Sequence, residues 1–130
     1  MSQCATCWTR SSSQRLAEIA ALQEDWDSYG APPISRARIE AVGDLIQTVA
    51  DGRAPPPTLV PTPDGSIQLE WHSHGVELEV QMLSESEMEV SFEDLRGQLP
   101  EYDHVLRSDL TPLVQYVRLL GERACGDGGA

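Results

Sequence analysis

Glutamate returns at alternate positions in three stretches of this chain: Glu70, then Glu77 and Glu79, then Glu87, Glu89 and Glu93. Carboxylates in such number could do acid–base work, hold a cation, or pair with basic groups on a partner. Acid–base catalysis needs one carboxyl set apart by its neighbours, and nothing in these spacings singles one out. Cys4-x-x-Cys7 has a spacing used by zinc and redox sites. A structural zinc site needs four ligands, and the third cysteine, Cys125, is remote. A redox CxxC opens a helix that follows a strand, whereas this pair precedes every element. His72-Ser73-His74 with Glu70 supplies metal-ligand types, as does His104 beside Asp103. The first group falls at a predicted hairpin tip, where His and Ser are ordinary turn residues. No Ser-His-Asp or Cys-His order and no glycine-rich phosphate loop is present. The reading is therefore a non-enzyme with no catalytic residue, no metal and no cofactor.

The elements that would position the acids follow from periodicity. Ile67, Leu69 and Trp71 alternate with Gln68, Glu70 and His72; Val76, Leu78, Val80 and Met82 with Glu77, Glu79 and Gln81; Met88, Val90 and Phe92 with Glu87, Glu89, Ser91 and Glu93. Period two in three successive runs predicts a half-buried antiparallel sheet. Asp64-Gly65, His74-Gly75 and Glu85-Ser86 break the runs, and a short edge strand at 58–61 makes a fourth. Leu16, Ile19, Leu22 and Trp26 predict a first helix over 13–26. Ser35 caps a second helix carrying Ile39, Val42, Ile46 and Val49, with Gly52 as its C-cap. Residues 95–107 read as an irregular connector. A last helix starts near Asp109 or Thr111, with Pro112 in its first turn and Gly121 weakening its end. The predicted fold is α+β, ordered α-α-β(3–4)-α, with helices on one face of a three- to four-stranded antiparallel sheet.

At 130 residues the chain is one domain. Its predicted limits are a disordered segment over 1–13, an α+β domain over 14–125 and a flexible tail over 126–130. There are 21 acids and 9 bases, every base an arginine, for a net charge of −12. Such a chain repels nucleic acid and anionic membranes and favours basic partners. No apolar run approaches a membrane span and no signal core precedes the first helix, so the expectation is a soluble, cytoplasmic protein.

Trp26-Asp27-Ser28-Tyr29-Gly30-Ala31-Pro32-Pro33-Ile34 is the other conspicuous segment. It reads first as a sharp turn between helices. Trp26, Asp27 and Tyr29 also make a secondary contact surface, since aromatics beside acids suit protein interfaces. This segment and Pro61-Thr-Pro-Asp-Gly-Ser-Ile-Gln-Leu-Glu-Trp71 together resemble a family of small bacterial and phage proteins, over roughly residues 16–93. The resemblance implies that both segments are framework. It carries no activity and no catalytic residue over, and the glutamates lie outside it.

The leading expectation is an acidic binding protein that inhibits or regulates a basic, nucleic-acid-binding protein or nucleoprotein complex, as DNA-mimic and anti-CRISPR proteins do. Glu70, Glu77, Glu79, Glu87, Glu89 and Glu93 would meet the partner's Arg and Lys. One alternative is an antitoxin or immunity protein that neutralises a cognate toxin. Another is a homodimer or structural subunit joined through helix faces or the strand edge at 87–93.

Overall fold

The computed structural model describes residues 4–127. Helix α1 spans Cys4–Ala20 and α2 Arg36–Val49. Five strands follow: β1 Thr58–Thr62, β2 Ser66–Ser73, β3 Val76–Met82, β4 Met88–Asp94 and β5 Tyr102–Leu106. Helix α3, Thr111–Gly126, closes the chain. The strands form one antiparallel meander in the order β1-β2-β3-β4-β5. The fold is α+β, as the periodicity predicts, with five strands rather than the expected three or four.

One apolar core joins the helices to the inner face of the sheet. Ile67, Leu69, Trp71, Val76, Leu78, Val80, Met88, Val90 and Phe92 all point into it. Trp8 and Ile19 of α1, Val42, Leu45, Ile46 and Val49 of α2, and Leu113, Val117 and Leu120 of α3 cover them. Alternation on the strands and three- and four-residue steps on the helices put these residues on matching faces. Among the described residues no helix is long and apolar enough to cross a membrane.

Several expectations are corrected. The first helix begins at Cys4 and ends at Ala20, so most of the predicted disordered segment over 1–13 is helical; residues 1–3 lie outside the described set. Trp8 explains the difference. Its fully buried ring lies 6.2 Å from that of Trp71, and its indole N–H donates to the Ala54 carbonyl at 2.9 Å. Long-range packing thus orders a Ser/Thr-rich stretch that local propensity leaves open. At the other end Trp26 is not helical. The Asp25 N–H donates to the Ala31 carbonyl at 2.8 Å and its carboxylate accepts from Gly30 N–H at 2.7 Å, closing a loop instead of another helical turn.

The second helix is capped at Ser35, as expected, where the hydroxyl accepts from Arg38 N–H at 3.2 Å. It ends with Ala50 as C-cap rather than Gly52. The connector at 95–107 contains β5, which pairs with β4, so the strand at 87–93 is interior to the sheet and not the open edge expected for a homodimer. Gly121 does not weaken the end of α3, since the helix runs on to Gly126. A Cβ at Gly121 would stand 2.8 Å from Asp51 Oδ1, so the glycine admits close approach of the 51–53 loop. Of the predicted tail over 126–130, Gly126 ends the helix and residues 128–130 lie outside the described set.

Candidate functional site

The side of the sheet away from the helices carries the acids, because each core residue sends its strand neighbours outward. Glu70 stands directly across from Glu79, and Glu77 from Glu93. Glu89 faces Gln81. Like charges placed opposite one another on a sheet cost stability. Among the described residues no arginine lies within ion-pair reach of Glu70, Glu77, Glu79, Glu89 or Glu93. Glu87 differs: Arg107, just beyond β5, donates to it at 2.6 Å. Five of the six expected acids thus stand without an arginine, and the sixth is paired.

Asp103 on β5 and Glu101 just before it extend this face, a placement not expected from the sequence. Asp103 pairs in register with Ser91 and so joins the outer face. With Glu101, Glu77, Glu79 and Glu93 it lines a concavity of about 490 Å³. The alternation of Tyr102, His104 and Leu106 with Asp103 and Val105 carries the signal. It is weak, because only Leu106 is buried on this edge strand. Hydrogen bonding to Asp103 raises the pKa of Glu89 above the ordinary glutamate value, with help from their mutual repulsion.

A histidine stands among these acids. His72 Nδ1 lies 2.7 Å from Glu77 Oε1 and Nε2 lies 3.2 Å from Glu70 Oε1, with Glu79 Oε2 at 3.9 Å. Partial burial pulls the imidazolium toward losing its proton, but bonding to Glu70 and Glu77 outweighs it and raises the pKa above the usual histidine value. Gln68 also steadies Glu70, its amide donating at 2.8 Å. The spacing predicts His72 at a hairpin tip, as an ordinary turn residue with no metal. The structure places His72 within β2, and the tip is His74-Gly75, both with positive φ. His74 turns elsewhere, to Asp127 at 2.9 Å. Cys4 and Cys7 fall in the first turns of α1, and Cys125 is exposed on α3.

The turn over 26–34 divides its three expected contact residues. Asp27 is occupied, its carboxylate accepting from Tyr29 N–H at 2.9 Å and Ala31 N–H at 3.0 Å. Trp26 is half-buried and donates to the Pro32 carbonyl at 2.7 Å. Tyr29 is 91 % exposed, held out from a loop whose Asp25, Ser28 and Gly30 take positive φ. Two residues build the turn and the third is displayed by it.

Chemically, the outer face can attract and pair with cationic groups, and its charges sit on a sheet rather than on loops. No family model, no curated protein and no solved structure matches the chain.

Proposed function

We propose that this is a non-enzymatic acidic binding protein that occupies the nucleic-acid-binding surface of a basic partner. The observation that carries the reading is the row of carboxylates opposed across β2, β3 and β4 without arginine between them. Residues two apart on a strand are about 6.6 Å apart and neighbouring strands about 4.8 Å, the order of phosphate spacing along a nucleic-acid strand. Glu70, Glu77, Glu79, Glu89 and Glu93, extended by Glu101 and Asp103, would stand in for phosphates. Glu87 contributes less, because Arg107 already neutralises it. Small size, a net charge of −12 and arginine as the sole base type fit an anti-CRISPR-like form of this reading, with a cytoplasmic partner.

The experiment uses the wild-type chain and a Glu77→Gln, Glu79→Gln, Glu89→Gln, Glu93→Gln variant as baits for proteins of the native host. The expected catch is a basic nucleic-acid-binding protein that duplex DNA displaces and that moderate salt releases. The variant should fail to hold it. Equal capture of that protein by the variant at moderate salt would sink the proposal.

Tyr29 favours a second reading. An exposed aromatic on a braced turn is an interface anchor, which suits an antitoxin or immunity protein contacting a toxin outside the acidic face. Toxicity of a neighbouring gene, relieved by the wild-type chain but not by a Tyr29→Ala variant, would support it.

A further inference from the structure

Glu70, His72 and Glu79 offer one ligand atom each, and these atoms all lie within 4.8 Å of one another. The sheet dictates the grouping. Glu70 and Glu79 are register partners on β2 and β3, and His72 follows Glu70 by two residues, on the same face. The histidine separates this group from the rest of the acidic surface. Carboxylates alone attract cations without selecting among them, and calcium and magnesium take oxygen ligands. Imidazole nitrogen is a directional donor suited to zinc and its d-block neighbours.

The ring is already oriented. Glu77 holds Nδ1 at 2.7 Å, which turns Nε2 toward Glu70 and Glu79. A carboxylate on the far nitrogen is the usual support of a metal-bound histidine. The three side chains keep 23 % (Glu70), 39 % (His72) and 46 % (Glu79) of their exposure. An ion can therefore enter from solvent and keep water on its open side. Shared coordination also offsets the repulsion between the opposed glutamates.

The geometry points to a divalent d-block cation site of the zinc class, with His72 Nε2, Glu70 and Glu79 as ligands and Glu77 as the positioning residue. This site goes beyond the proposed partner and does not depend on it.

The test titrates the full chain with zinc in excess magnesium, which occupies unselective carboxylates. A saturable zinc site and a raised melting temperature are expected, since binding to the folded state alone stabilises it. His72→Gln and Glu79→Gln should each weaken zinc binding by at least roughly 10-fold, and Glu77→Gln by about 10-fold with the site still saturable. His104→Gln should leave it unchanged. Cobalt in the same site should show no thiolate charge-transfer band, which separates it from binding at the cysteines. Thermal unfolding of each variant without metal establishes that it is folded. Zinc affinity unchanged in folded His72→Gln, displacement of zinc by magnesium, or a cobalt thiolate band with none of these changes would overturn the assignment.

Discussion

Glu93 and Asp94 are neighbours on β4 and meet opposite fates. Asp94 turns inward at the end of the strand. Its carboxylate lies 2.8 Å from Arg123 of α3, with side-chain exposures of 0 % and 7 %. It also accepts from the backbone N–H groups of Arg96, Gln98 and Leu99. Nearby, Asp127 binds Arg96 at 2.6 Å and His74 at 2.9 Å. Every acid of this corner is matched. Glu93 turns outward and faces Glu77 across the strands. The difference shows what burial demands. A carboxylate out of water must be paired and hydrogen-bonded, whereas one in water can remain unpaired at small cost. The corner's acids hold the fold together, and those of the face act against it.

The largest way to break this comparison is Asp94→Asn, which leaves the Arg123 charge buried without its partner. The expected loss is about 10 °C in thermal midpoint, followed by circular dichroism. A loss below about 2 °C would mean that the corner is not the clasp described.

Next in size is the four-glutamine variant of the outer face. It should keep the fold and gain a few degrees, because each opposed like-charge pair costs stability. Loss of stability on neutralising these acids would show that their contacts with His72 outweigh the repulsion between opposed glutamates, and the contrast with the corner would fail.

The smallest effect concerns pH, where the two regions should slope in opposite directions. Bonding to Arg123 holds the Asp94 carboxyl well below the usual carboxylate range. Its contribution is complete above the ordinary aspartate pKa of about 3.9 and is lost as pH falls through the folded value. Glu89 is raised by Asp103. Its contribution is complete below the ordinary glutamate value of about 4.3 and is lost as pH rises through the folded one. Melting curves between about pH 3 and 7 should show that Asp94→Asn flattens the acid limb. Glu89→Gln should gain about 1–2 °C over wild type as pH rises above the glutamate range. Parallel slopes for the two variants would erase the distinction.

Much of the fold was legible in the residues. Strict alternation from Ile67 to Phe92 determined the three central strands, because a pleated strand sends successive side chains to opposite faces. The same alternation determined that the glutamates lie outside. The stripe from Ile39 to Val49 and Pro112 in a first turn placed the last two helices. What the pattern could not supply was any element whose order comes from distant contacts. The first half of α1 exists because Trp8 packs on Trp71 and reaches Ala54, more than forty residues away. Strand β5 exists because β4 offers it an edge. The site divides on the same line. Sequence by itself determined which acids share a face. Tertiary structure alone decided that Glu70 opposes Glu79, that Arg107 neutralises Glu87, and that His72 stands among Glu70, Glu77 and Glu79. Register and strand order decide those meetings, and both are set by the packing of the whole sheet.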